Sequence, residues 1–334
     1  MVKKHLRTMA YFAQSALLVA ACTGDDTGDS DSATTSSGET SSTSTTTGTE
    51  TGTSNATDST TSSTSSTTAP ETTTSTTTST TTGGDDAADA FRFTEMFVRD
   101  PHFFIVPIIG CEDITDKGLL GAPSINEQFN TAITMDTSDP SDGFLNMSFM
   151  LLLRPLDQEA AGGNFDFATG ECTAPIESTT CDVKMGTQPA SGTYSNLKEV
   201  CLEPIAEELS SENYNPQPGT TSGPCFKGDP LSFVLDLGDF QLPFTDAEIA
   251  AQYVGDPADG MVEGLIHGFL TEADGDATIL PEDLPVIGGM PISSLLPGGA
   301  MNCAKHDDKD MYMGNPGWWF YIEFKATRVK YTGM

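Results

Sequence analysis

Close to the C-terminus the chain reads Trp318-Trp319-Phe320-Tyr321-Ile322-Glu323-Phe324-Lys325-Ala326-Thr327-Arg328-Val329-Lys330-Tyr331. Phe320, Ile322 and Phe324 fall on one side of an extended chain, Glu323 and Lys325 on the other, which is the period of a half-buried strand. The same alternation opens the foldable segment, in Phe91-Arg92-Phe93-Thr94-Glu95-Met96-Phe97-Val98. A first and a last strand this apolar are expected to pair and close a sheet. Between them, residues 128–135 (Phe129 and Ile133 on one side), the apolar run 144–153 and Leu231–Leu237 also read as strands. Gly and Pro clusters separate them as turns do in antiparallel proteins. The expected fold is mainly β, an antiparallel sandwich or barrel-like sheet with one or two short helices. One helix is placed over 259–271, where Met261, Leu265 and Phe269 recur every four residues. Thr245-Asp246-Ala247-Glu248 reads as a helix N-cap with acids in the first turn. Residues 280–299 carry Pro281, Pro285, Pro291 and Pro297 and read as an ordered loop with a short turn at 292–296.

The rest of the 334 residues divides by composition. Lys3, Lys4 and Arg7 precede a short apolar run, Met9–Ala21, as in a secretory signal peptide. Residues 23–90 hold no Leu, Ile, Val, Phe, Tyr or Trp and are mostly Ser, Thr, Gly, Asp and Ala, so they read as a disordered linker. As a flexible coil it would reach about 45 Å. The expected organisation is a signal peptide at 1–21, a linker at 22–90 and one folded domain at 91–334. That domain carries 12 basic and 37 acidic residues out of the chain's formal net charge of −33. Such a charge repels phosphates and argues against nucleic-acid binding and polybasic membrane contact.

Seven cysteines are an odd number. Setting Cys22 aside leaves Cys111, Cys172, Cys181, Cys201, Cys225 and Cys303, an even set that in an exported chain reads as three bridges with fifteen pairings open. Cys172 with Cys181 and Cys201 with Cys225 could each close a local loop, and Cys111 would then reach Cys303 across the domain. None lies in a CxxC pair, so zinc-ribbon spacing is absent.

Candidate chemistry is sparse. Glu272-Ala273-Asp274-Gly275-Asp276, with Asp283 further on, spaces carboxylates as a calcium loop does, although Ala277 stands where a glycine is expected and Pro281 blocks a following helix. Asp307, Asp308 and Asp310 form a second acidic candidate, and Asp136, Asp139 and Asp142 a third. Calcium is the one cofactor considered. His102, His267 and His306 are the only histidines outside the signal region. There is no HExxH, no GxSxG and no phosphate-cradling loop. Trp318–Tyr321 could turn one aromatic pair to the core and the other outward as a platform for sugar or peptide.

Val19-Ala20-Ala21-Cys22 resembles the lipobox of bacterial lipoproteins. That resemblance implies cleavage before Cys22, an acyl (palmitate-type) anchor on its thiol and, with Thr23 following, the outer membrane. With the Thr/Ser stalk, Arg99-Asp100-Pro101-His102 and Gly317-Trp318-Trp319-Phe320-Tyr321, the chain resembles myxobacterial-type surface lipoproteins, which carries no activity. The expected function is a lipid-anchored cell-envelope protein, a non-enzymatic binding or adhesion module, calcium-stabilised, whose partners are the membrane through Cys22 and a surface glycan or protein. Two alternatives stand beside it: an exported hydrolase using His102 or His306 with nearby carboxylates, and a purely structural envelope protein.

Overall fold

The computed structural model describes residues 88–334 except 108–109, 120, 210–213, 239, 283, 285–286 and 334. The expected signal peptide, the expected linker up to residue 87, Cys22 and Asp283 therefore lie outside the described residues, and the folded segment begins with β1 at Asp89 instead of residue 91. Fifteen strands and two helices follow one another. They are β1 (Asp89–Asp100), β2 (Phe104–Ile105), β3 (Glu112–Asp113), α1 (Ile125–Thr134), β4 (Phe149–Arg154), β5 (Gly162–Cys172), β6 (Thr180–Val183), β7 (Ala190–Leu197), β8 (Val200–Leu202) and β9 (Thr221–Ser222). After them come β10 (Cys225–Gly228), β11 (Leu231–Asp236), β12 (Gln241–Gly255), β13 (Ala258–Thr271), α2 (Glu272–Ala277), β14 (Asp310–Tyr312) and β15 (Asn315–Tyr331).

Eight of these strands close on themselves. β1 pairs β4, β4 pairs β5, β5 pairs β7, β7 pairs β10, β10 pairs β12, β12 pairs β13, β13 pairs β15, and β15 returns to β1, every pair antiparallel. Neighbours in space are in chain order around the ring, so this is an up-and-down barrel, and the first and last strands close it as the alternation predicted. Closure removes the exposed sheet edges that invite aggregation. β11 extends β10 along the same edge of β12, from Leu231 opposite Ala247 to Asp236 opposite Gln241. β6 bridges β5 to the end of β15.

Phenylalanines fill the interior. Phe93 stacks on Phe324 with centroids 4.2 Å apart and meets Phe149 and Phe167 edge-on. The column continues through Phe233 and Phe244 to Phe320. Gly264 leaves room for it, because a Cβ there would sit 2.7 Å from the Phe324 ring. Two smaller apolar clusters cover the outside of the barrel. One gathers Cys201, Cys225, Leu265, Phe269, Trp319 and Tyr321, the other Ala90, Met150, Leu152, Cys172 and Cys181. The bridges are Cys111–Cys303, Cys172–Cys181 and Cys201–Cys225.

Three local expectations are corrected. Residues 259–271 are strand β13, not a helix, and Thr245–Glu248 lies inside β12. A four-residue step keeps a side chain on one face in a strand as well as in a helix, so the spacing did not discriminate. Register shifts lie between Thr245 and Glu248 and between Met261 and Gly264. There Asp246 and Glu263 take positive φ, which breaks the period-two pattern that would have marked strands. Residues 128–135 are the reverse case: their larger part belongs to α1, started by a capping box between Ser124 and Glu127.

Helix α1 solves a problem in β1. β4 pairs β1 only from Asp89 to Arg92, whereas β15 pairs it as far as Asp100. The remaining edge of β1 is completed by two side-chain amides one helical turn apart. Asn130 accepts from the Met96 N–H at 3.0 Å and donates to the Met96 carbonyl at 2.7 Å. Asn126 accepts from the Val98 N–H at 2.8 Å and donates to the Val98 carbonyl at 3.1 Å. The buried Arg92 guanidinium donates to the Ile133 carbonyl at the helix C-terminus, where a cation is favoured. Truncating a partner leaves buried backbone groups unsatisfied. Asn126→Ala should lower the unfolding free energy by about 3 kcal/mol, read as a fall in denaturant midpoint; an unchanged midpoint would remove α1 from this role.

Candidate functional site

Beyond the end of β4, the barrel does not fill itself. Behind α1 lies a cavity of about 400 Å³. Its floor is Phe320 and Ile322 of β15 with Met96 and Val98 of β1. α1 contributes Ile125, Gln128, Phe129 and Ala132. The β2–β3 hairpin region contributes Phe103, Ile105 and Ile114, and the β11–β12 turn contributes Leu235, Leu237, Phe240 and Leu242. The ordered 280–299 segment closes the far side with Leu280, Leu284, Ile287, Ile292 and Leu295, and its short turn falls at Ile292–Leu295 as expected. Among the described lining residues only Gln128 has a polar side chain. The floor is buried, while Ala122 and Pro123 are exposed and Leu119, Phe129, Leu284 and Ile287 are half-buried, so one side of the cavity reaches the surface. An eight-stranded barrel is just wide enough to be filled by side chains or to hold one small ligand. This one does the first at its phenylalanine end and has space for the second at its mouth.

On the outer side of the same hairpin, His102 and His306 come together around Tyr214. The His102 ring stacks on Tyr214 at 3.8 Å, and the Tyr214 hydroxyl lies 3.0 Å from His306 Nε2 and donates to Asp308. His102 Nδ1 lies 2.6 Å from Asp113, which also accepts from the Thr115 N–H. Burial raises the Asp113 pKa, but these contacts outweigh it and hold the group below the ordinary carboxylate value. Burial, reinforced by the Asp308 charge, pushes Tyr214 upward. With the Cys111–Cys303 bridge beside it, the cluster ties the hairpin to residues 303–308. His102 and Tyr214 are buried, and only part of His306 faces solvent. His267 stands apart from this cluster, bonded to Glu248 at 3.0 Å beside Trp319 and Tyr321. Lys227 shares Glu248, and despite burial the two partners hold that carboxylate low.

The acidic candidates do not converge. Glu272 pairs with Lys309 at 2.8 Å, Asp274 accepts from the Thr271 hydroxyl, and Asp276 accepts from Ser293. Glu272–Ala277 forms the short helix α2, capped by Thr271. Asp136 gathers Ser138, Ser141 and the Gly143 N–H. Asp307 accepts from the Lys309 N–H, and Asp308 belongs to the Tyr214 cluster. Among the described residues no three His, Cys, Asp or Glu side chains are grouped so as to hold a metal ion. The aromatic patch offers no platform either, because Trp318 and Phe320 face the interior while Trp319 and Tyr321 are buried in the outer cluster. The cavity escaped the sequence reading; the apolar positions in α1 and in 280–296 were visible, but not that they face one another.

Asp310, like Glu208, is a carboxylate whose surroundings disfavour its charge. Burial, then the charges of Asp308 and Asp307, push its pKa up to about 6. A raised folded pKa favours the protonated form, so this group's stabilising contribution is complete below about pH 4 and is lost as pH rises through 6. Asp310→Asn should therefore raise the thermal midpoint at pH 7.5 and leave it nearly unchanged at pH 4.5. A rise of equal size at both values would count against the assignment.

Compared with protein-family models, with curated proteins and with solved structures, the chain matches none, so its function is argued from the cavity and the side chains around it.

Proposed function

We propose that this chain is an envelope lipoprotein, anchored through Cys22, whose barrel is a non-enzymatic binding module for a small apolar molecule. The observation that carries the binding reading is the cavity at the barrel mouth, lined by aliphatic and aromatic side chains and reaching the surface. Its size lies within the usual range for small-molecule sites, about 300–1,000 Å³, and barrel mouths are among the places such sites occur. Three bridges that use all six cysteines of the folded segment support an oxidising compartment and leave Cys22 as the seventh. A long Ser/Thr tract between Cys22 and the barrel would hold the cavity away from the membrane surface.

The hydrolase alternative draws on the meeting of His102 and His306 at Tyr214. It is the weaker reading, because His102 and Tyr214 are buried in the cluster that fixes the hairpin.

The binding reading is tested by titrating the purified protein with N-phenyl-1-naphthylamine, an uncharged fluorophore that brightens in apolar surroundings. Saturable binding at one site is expected, abolished by Ala132→Phe, which fills the cavity, and by Ala122→Trp, which obstructs its exposed side. Binding that survives both substitutions would place the probe elsewhere. For the anchor, Cys22→Ala should move the protein from the membrane to the soluble fraction and remove the acyl mass from its N-terminal peptide; an unaltered distribution would reject the lipoprotein reading.

A further inference from the structure

The chemistry of the cavity and of its surroundings specifies the ligand further. A binding site for a fatty acid or a phospholipid needs a cation or several hydrogen-bond donors for the acidic head. None of the lining side chains is Lys, Arg or His, and Gln128 alone carries donors. The amide of Gln128 is itself engaged, donating to the Pro123 carbonyl at 3.0 Å. Nor do the residues left undescribed within 88–334 include a basic one. Arg92 is close in sequence to the cavity wall but does not line it; its guanidinium is fully buried, donates from Nη1 to the Ile133 carbonyl of α1, and leaves Nε and Nη2 without a hydrogen-bond partner among the described residues.

The field outside points the same way. The foldable segment has three acidic residues for each basic one. In the segments that carry the exposed and half-buried lining residues, Asp116, Glu127 in the first turn of α1 and Glu282 near Gly289 outnumber the one basic residue, the exposed Lys117. An anionic head held at that opening would meet carboxylates, and one drawn inside would lose its hydration without a partner.

We infer that the cavity takes an uncharged apolar molecule, of the class of long-chain alcohols, esters or hydrocarbons, and rejects its carboxylate counterpart. This rests on reading the cavity as a ligand site. Its volume lies in the range of small-molecule sites, about 300–1,000 Å³, so a twelve-carbon chain is a suitable probe.

The test is competition. With N-phenyl-1-naphthylamine bound to the full-length protein, dodecanol and dodecanoate are titrated at pH 8. Dodecanol should displace the probe at a concentration at least about tenfold lower than dodecanoate, a difference of about 1.4 kcal/mol. The gap should narrow at pH 4.5, where the acid is largely protonated, as the same measurement shows by displacement of probe. Equal or tighter binding of dodecanoate at pH 8 would overturn the inference while leaving the cavity a ligand site. Failure of the probe itself to bind, or its binding unaltered in Ala132→Phe and Ala122→Trp, would instead remove the ligand site and the inference with it.

Discussion

β1 is longer than its neighbour can use. β15 accompanies it through Asp100, but β4 leaves it after Arg92, and the eight residues Phe93–Asp100 have no strand on that edge. Backbone donors and acceptors at a buried edge must be satisfied. Another strand there would have continued the barrel wall and closed the gap. A helix carrying Asn126 and Asn130 one turn apart supplies the same hydrogen bonds to Met96 and Val98, but its bulk stands off from the barrel. The cavity lies behind that helix. The Asn pair, the capping box that starts the helix and the Arg92 contact at its far end are parts of one device, which ends the sheet at this corner without exposing its edge.

The two ends of the barrel are consequently different materials. One is a column of stacked and edge-on phenylalanines with glycines placed where rings would collide, as Gly264 is beneath Phe324. Such packing has little free volume and resists deformation. The other is roofed by three segments that are not barrel strands: α1, the β2–β3 hairpin and the 280–296 loop. Each is held from outside. The hairpin is secured by the His102–Tyr214–His306 cluster and the Cys111–Cys303 bridge, and the loop by Trp318, whose indole donates to the Pro297 carbonyl at 2.8 Å. The polar groups of this protein thus work on the outer side of the roof and leave its inner side apolar.

The outer clusters explain why so much of β15 is buried on both faces. Its inward side chains, Trp318, Phe320, Ile322 and Phe324, meet the barrel core, while Trp319 and Tyr321 lie under the segment bridged by Cys201 and Cys225. A strand covered on both sides reads as a nearly continuous apolar run. Trp318–Ile322 is such a run, and its second face packs in the outer cluster instead of forming an outward aromatic platform.

Much of the barrel was legible in the chain because strands announce themselves by alternation. Phe91–Val98, Leu231–Leu237 and Trp318–Tyr331 did so, and the even number of cysteines outside the signal region announced the bridges. Where bulges at Asp246 and Glu263 interrupt the alternation, β12 and β13 were misread as helix, and the apolar spacing of 128–135 concealed one. The acidic clusters were legible too, but not their partners: among the described residues Glu272, Asp274 and Asp276 meet Lys309, Thr271 and Ser293. The sequence by itself determined the mainly β class, the acidic field and the parity of the cysteines, all of which are local or additive properties. Only the tertiary structure decided where the volume is left unfilled, because the cavity is walled by residues from Met96 to Ile322, and emptiness between distant segments leaves no mark in any one of them.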